Sequence, residues 1–261
     1  MHHDQTFPST YDGLLQLVQR LRGPDGCPWD REQTHQSVKR QLLEECYELV
    51  EAIEEGDADK MVEELGDVLF HVVFQAQIGT EEGELTQEQV LGSLIEKLVR
   101  RHPHVFGDEK ISDARDVEAN WDAIKRLEAA GTEASILDGV PRQMPALSYA
   151  QTIQRRAARA GFDWEDVQGV LDKVAEELDE LAAAETAAER ESELGDLLFS
   201  LVNAARWLGI DAEGALRQTN DRFYRRFAAM EGLCRERDLS FPELSLDEKE
   251  TLWQEVKGKM G

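Results

Sequence analysis

The chain states one passage twice. Glu64-Leu65-Gly66-Asp67-Val68-Leu69-Phe70 returns as Glu193-Leu194-Gly195-Asp196-Leu197-Leu198-Phe199. Upstream of each copy runs a paired-glutamate stretch, Leu43-Glu44-Glu45-Cys46-Tyr47-Glu48-Leu49 and Ala175-Glu176-Glu177-Leu178-Asp179-Glu180-Leu181. Farther upstream stands a tryptophan, Trp29 in Gly-Cys-Pro-Trp-Asp and Trp164 in Gly-Phe-Asp-Trp-Glu. Downstream comes a basic cluster, Lys97, Arg100 and Arg101, then Arg222, Arg225 and Arg226. Each half closes on Trp-x-x-x-Lys, Trp121 with Lys125 and Trp253 with Lys257. Five features in one order mean two copies of one folding unit. The 261 residues suit two small domains.

The unit is helical. Ala, Leu and Glu abound and β-branched clusters are few, so the expected class is all-α. The expected division is a first domain over 1–127, a bridge over 128–146 and a second domain over 147–261. Gly131, Gly139, Pro141 and Pro145 break helices within the bridge, and its Ile136 and Leu137 predict that part of it packs. A polar turn is predicted at Gly79–Glu84.

A net charge of −25 excludes several partners. Such a surface repels nucleic acid, whose binders carry Lys/Arg stripes, and anionic membranes alike. No apolar run of 18 residues spans a bilayer. Met1-His2-His3-Asp4 lacks the basic-then-apolar order of a secretory signal. Cys27, Cys46 and Cys234 are an odd set without C-x-x-C spacing, as expected of reduced thiols in a cytoplasm.

The carboxylates carry the chemistry. Over Gln36–Glu55, the residues Val38, Leu42, Cys46, Leu49 and Ile53 fall in one arc at about 100° per residue. Glu45 lies at the lip of that stripe, with Glu48 about 60° further out. The next predicted helix, Asp59–Gln77, repeats the phase with Glu64 and Asp67. The second half does the same with Glu177 and Glu180, then Glu193 and Asp196. If each helix pair packs as an antiparallel hairpin, its i,i+3 carboxylate pairs converge on one edge of the seam. Two unit charges near 4 Å cost about 4 kcal/mol at moderate effective dielectric, and a cation removes that penalty. All-oxygen ligands favour a hard ion, Mg²⁺ or Mn²⁺. A single such pair on an acidic protein is ordinarily a solvated face. A solvated face has no reason to recur in the same rotational phase in both halves. A di-iron bundle needs Glu-x-x-His on two helices, but Asp67 and Asp196 hold the third place. His71, one turn on, is matched by Ser200. No EF-hand loop is present.

E-E-x-x-E followed by E-x-x-D resembles the signature of the MazG-type, all-α nucleoside triphosphate pyrophosphohydrolases. Gly-Cys-Pro-Trp-Asp at 26–30, Arg-Arg-His-Pro-His-Val-Phe at 100–106, Leu-Asp-Gly-Val-Pro at 137–141 and Pro-Ala-Leu at 145–147 extend the likeness over nearly the whole chain. The resemblance implies two tandem four-helix-bundle-like domains, a homodimer that completes the site, and Mg²⁺-dependent cleavage of an NTP between the α and β phosphates to NMP and pyrophosphate. The competing class is a helical protein that binds nucleotide or a partner without catalysis. Carried over by residue, the metal ligands are Glu177, Glu180, Glu193 and Asp196, and in the first half Glu45, Glu48, Glu64 and Asp67. Glu176 and Glu44 orient a ligand or help activate water. An ion in such a site offsets charge on phosphate oxygens and acidifies a water, and a nearby carboxylate takes the proton.

Lys173, Asn220, Arg222, Arg226 and Lys257 are the expected substrate contacts, guanidinium forks suiting phosphate oxygens. Trp253 is either a stacking surface for a base or an amphipathic core residue. Lys97, Arg101, Trp121 and Lys125 occupy the analogous places in the first half. The sequence departs from the family pattern where Glu189, beside Arg190, and Thr152 stand in place of expected lysines. His102 and His104 around Pro103 read as a structural turn, and Cys46 as core.

Overall fold

Capping residues decide where each helix of the repeat begins and ends. A computed structural model describes residues 7–107, 113, 117, 120, 121, 124 and 135–260; among these the regular elements are eleven α-helices and one 3₁₀ turn, with no strand. The chain divides into two units, residues 1–128 and 129–261.

The first unit holds α1 (Tyr11–Arg22), α2 (Pro28–Glu32), α3 (His35–Glu55), α4 (Ala58–Glu82), α5 (Gln87–Arg101) and α6 (Pro103–Phe106). A capping box opens α3: the Thr34 hydroxyl accepts from the Ser37 N–H, and Ser37 Oγ accepts from the Thr34 N–H. Gly56, at φ 69°, closes it in the left-handed region. Asp57 then caps α4 by accepting from the Asp59 and Lys60 N–H groups. Two residues join the helices, so α3 and α4 form a tight antiparallel hairpin.

α4 runs through the turn predicted at Gly79–Glu84 and stops at Gly83. Gly79 lies inside the helix because Leu85 folds back over it; a Cβ there would stand 2.7 Å from Leu85 Cγ. The core of this unit is Val18, Val38, Val73, Phe74 and Ile78, bordered by Leu14, Leu15 and Phe70. Each such burial contributes about 1.5–3 kcal/mol. Ile53, placed by the sequence pattern on the buried stripe of α3, is instead exposed, and Ala52 is buried. From Val38, Ala52 is about 40° off the inward direction and Ile53 about 60° on the other side, so the smaller side chain closes the helix pair. Cys46, expected in the core, is half-buried. His102 separates α5 from α6, its ring nitrogen Nδ1 2.6 Å from the Leu98 carbonyl.

The second unit holds α7 (Ala146–Arg159), α8 (Val167–Ala183), α9 (Ala187–Trp207), α10 (Ala212–Glu236), the 3₁₀ turn (Phe241–Glu243) and α11 (Leu246–Met260). Asp166 caps α8, Asp211 caps α10, and Thr186 with Glu189 forms a capping box on α9. α8 and α9 pair as α3 and α4 do, and α7 lies on α9 as α1 lies on α4. Buried glutamines stitch α7 to its neighbours. Gln151 donates to the Ile210 carbonyl and accepts from the Ala212 N–H; Gln154 donates to the Phe199 carbonyl. Met230, Cys234, Leu252 and Val256 pack α10 against α11. Arg237, on the turn after α10, and Lys259 hydrogen-bond Glu255 and hold its carboxyl down at about 2.

In the bridge, residues 128–134 lie outside the described residues. Beyond them Arg156 donates to the Asp138 carbonyl at 2.7 Å, which ties the turn before Val140 to α7. No helix among the described residues is long and apolar enough to cross a membrane.

Phe74→Ala is expected to cost about 3–5 kcal/mol by opening a cavity in the first core. Phe106→Ala, at an exposed position, is expected to stay within about 0.5 kcal/mol of the parent. Denaturant unfolding of the two variants measures both.

Candidate metal centre

The hairpin geometry turns spacing into convergence. α3 presents Glu45 and Glu48 one turn apart, and α4 brings Glu64 across the seam. One carboxylate oxygen from each lies within 4.8 Å of the other two. α8 and α9 do the same with Glu177, Glu180 and Glu193. The exposure follows one pattern: Glu45 is half-buried and Glu177 buried at the seam, Glu48 and Glu180 stand at the rim, and Glu64 and Glu193 lie between.

Asp67 and Asp196 are exposed one turn further along α4 and α9 and stand outside both triplets. Asp67 is still near enough to bear on Glu45 and Glu64. Glu44 is exposed and accepts from Arg40 Nε at 2.9 Å. Glu176 accepts from Lys173 Nζ at 2.7 Å, and the same ammonium lies 2.8 Å from Glu177.

Crowding leaves its mark on the acids. Partial desolvation, then the charges of Glu48, Asp67 and Glu44, raise the Glu45 carboxyl above its ordinary value. Desolvation and then Glu48, Glu63, Asp67 and Glu45 raise Glu64. Glu180 is raised by desolvation and Glu177, with Lys173 acting against the shift. The halves therefore differ. The second triplet has an internal cation in Lys173, while the corresponding place in the first, four residues before Glu45, is Gln41. All-oxygen donors massed this way suit a hard divalent cation.

The basic residues stand on the outer helices. Arg222, exposed on α10, donates to Thr219 Oγ1. The Arg226 guanidinium lies 5.9 Å over the Trp253 ring, which also meets Phe223 at 5.5 Å. Trp253 borders the α10–α11 core, so it packs while keeping part of its surface open. Asn220 and Lys257 are exposed. In the first unit Arg101 lies 5.6 Å over Trp121, and His102 meets that ring edge-on at 4.8 Å. Lys97 is exposed on α5. Lys125 lies outside the described residues. The absence of a lysine at Glu189 has a structural reason: Glu189 Oε2 accepts from the Thr186 and Glu185 N–H groups and starts α9. Arg190 is occupied there too, donating to the Ala184 and Glu185 carbonyls.

His71 is the side chain that reading by motif undervalued. It is buried, and its Nε2 lies 3.8 Å from Glu45 Oε1. Burial lowers its pKa. Its position, seven residues after Glu64, is the signal that places it on the same face. Its counterpart Ser200 is also buried.

Known proteins are similar to this chain over most of its length. Residues 33–106 match the model of the MazG nucleotide pyrophosphohydrolase domain. The chain is 46% identical over 248 residues, 95% of its length and 96% of the relative's, to the Thermotoga maritima protein named nucleoside triphosphate pyrophosphohydrolase/pyrophosphatase MazG. The chain belongs to the MazG family. It is also 46% identical over 253 residues, 94% of its length and 96% of the relative's, to the Escherichia coli K12 nucleoside triphosphate pyrophosphohydrolase. It is 50% identical over 245 residues, 92% of its length, to half of Bacillus subtilis YabN. The MazG-domain match encloses Glu45, Glu48, Glu64, Asp67 and His71 of the first unit.

The raised carboxyls fix a sign for this MazG chain. An acid whose folded pKa is raised destabilises the fold at neutral pH, and the penalty fades as pH falls through the carboxylate range. With divalent ions chelated at pH 7, Glu48→Gln is expected to raise the melting temperature of the first unit, and the gain is expected to shrink toward pH 4. Glu180→Gln gains less, because Lys173 already offsets part of the charge. Calorimetry across pH checks the order.

Proposed function

We propose that this MazG-family chain hydrolyses nucleoside triphosphates between the α and β phosphates, releasing a nucleoside monophosphate and pyrophosphate, with Mg²⁺ as the cofactor and Mn²⁺ as a substitute. The observation that carries this reading is the pair of carboxylate triplets, each offering three oxygens within 4.8 Å at the seam of a helical hairpin. The Thermotoga maritima and Escherichia coli relatives, named as nucleoside triphosphate pyrophosphohydrolases, support it. We read the two units as tandem MazG-like, four-helix-bundle-like domains, 1–127 and 147–261, around a bridge over 128–146.

The donor chemistry fits the ion. Glu45, Glu48, Glu64 and Asp67, and Glu177, Glu180, Glu193 and Asp196, would hold it, and bound there it would offset the negative charge of the phosphate oxygens. Glu176 and Glu44, next to the seam glutamates, take a proton from the attacking water. Lys173 neutralises Glu177 and steadies it for the incoming triphosphate. Arg222, Arg226 and Lys257 receive the leaving pyrophosphate, and Asn220 meets the sugar or base. Trp253, partly exposed, with Phe223 tilted against it at 5.5 Å and the Arg226 guanidinium 5.9 Å over its ring, is the aromatic we assign to base stacking. Arg101 with Trp121, and Lys97, fill these roles in the first half. The second unit is the main catalytic one in this reading, because Lys173 gives it a direct basic contact that Gln41 does not supply.

The protein acts as a homodimer. In the first unit Leu43, Tyr47, Leu65, Leu69 and Val72 leave an apolar face of α3 and α4 exposed, and in the second Leu178, Leu194, Leu198 and Leu201 do so on α8 and α9. Apolar faces of this extent mark interfaces. Light scattering is expected to report twice the chain mass of 29.5 kDa. Its three free thiols fit a cytoplasmic setting.

Incubation with each NTP and Mg²⁺, followed by chromatography of products, tests the activity. NMP plus pyrophosphate is the expected outcome; NDP plus orthophosphate means a different phosphatase, and no turnover means a nucleotide- or partner-binding protein. Glu180→Ala is expected to lower turnover by at least about 100-fold, the scale on which metal affinity and activity respond to a disrupted site. Glu48→Ala is expected to lower it by less than about threefold. If neither substitution changes the rate, the ligand assignment fails.

A further inference from the structure

A third cluster lies at the open end of the α3–α4 hairpin, apart from the Glu45/Glu48/Glu64 triplet. His35 begins α3, Glu82 ends α4, and Glu84 follows the Gly83 turn. One ligand atom from each lies within 4.8 Å of the other two. His35 Nε2 is 3.9 Å from Glu82 Oε2 and 3.7 Å from Glu84 Oε2. Those separations are too long for hydrogen bonds. They are close to the spacing of two ligands around one small cation: donors about 2.1 Å from zinc at a tetrahedral angle sit about 3.4 Å apart.

The imidazole is set for such a ligand. Gln75 donates through Nε2 to the His35 carbonyl at 3.3 Å, which turns its Oε1 toward the ring. That oxygen accepts from His35 Nδ1. The proton is thereby placed on Nδ1, and Nε2 presents its lone pair to the two carboxylates. Nε2 is shielded from solvent and has no hydrogen-bond partner. A lone pair shut in with two carboxylates is repulsive. An Nδ1–H fixed by a carbonyl oxygen, with Nε2 left open, is the way metal-binding histidines are held.

We propose that His35, Glu82 and Glu84 bind a borderline divalent cation, Zn²⁺ in the first instance. One nitrogen and two oxygens suit zinc, with water completing four-coordination; the all-oxygen triplets suit a harder ion. His35 lies ten residues, about 15 Å, before Glu45 on α3. The ion ties the first turn of α3 to the last turn of α4 and so closes the end of the hairpin that has no connecting loop. It sits beside a second clamp, in which Arg22 holds Glu81 at 2.8 Å and donates to the Asp30 and Gln33 carbonyls.

The test uses the full chain, stripped of metal and then held in millimolar Mg²⁺ to fill the oxygen clusters. Zn²⁺ is titrated against a chromophoric chelator, and the zinc-loaded protein is examined by X-ray absorption. One zinc per chain that resists Mg²⁺, with a single imidazole donor, is expected. His35→Gln and Glu84→Gln should each weaken it at least 10-fold, and the Glu48→Ala/Glu180→Ala double variant should leave it intact. Should His35→Gln fail to fold, Glu84→Gln, on an exposed turn, decides alone. The proposal is overturned if no zinc survives Mg²⁺, if both single variants bind zinc as the parent does, or if the double variant loses it.

Discussion

Carboxylates forced together by helix packing are the constraint on which the rest of this structure turns. Burying Val38, Val73, Phe74 and Ile78 brings α3 and α4 into contact, and that contact gathers Glu45, Glu48 and Glu64 at its edge. The apolar seam stabilises the hairpin while the acids at its edge oppose it. Desolvation first, and then the neighbouring carboxylates, raise the Glu45 and Glu64 carboxyls. A divalent cation joining the triplet would remove that repulsion.

The two copies resolve the repulsion differently. In the second, Lys173 lies within 2.8 Å of both Glu176 and Glu177, and the seam glutamate is buried. In the first, Gln41 replaces the lysine, and the nearest imidazole, His71, is buried and biased by desolvation toward the neutral form. One triplet thus has a basic partner built into it and the other does not.

The fold class and the placement of the triplets were legible because both rest on local periodicity. Helical phase puts Glu45 at the lip of the stripe and Glu48 outside it, and a two-residue connection at Gly56-Asp57 leaves the chain only a hairpin. What was not legible depends on contacts distant in sequence. Gly79 looked like a turn because nothing local shows Leu85 folding back over it. Ile53 looked buried because a stripe drawn at every third or fourth residue does not record which side chain the partner helix has room for. Glu189 looked only like a departure from the family's lysine, though its carboxylate is spent on the first turn of α9.

The same reasoning explains why His35, Glu82 and Glu84 escape a motif search. Nothing in their spacing joins residue 35 to residues 82 and 84; antiparallel packing does, by placing the start of one helix beside the end of the next. The hairpin therefore has two ends of different character. Gly56 and Asp57 close one covalently, and the other is held only by side chains. A carboxylate-lined seam between two helices keeps its geometry only if both ends are fixed, since a small splay of the open end would widen the separation of Glu45 and Glu64 along its length. Arg22 with Glu81 supplies one restraint there, and an imidazole whose free nitrogen already faces two carboxylates is placed to supply another.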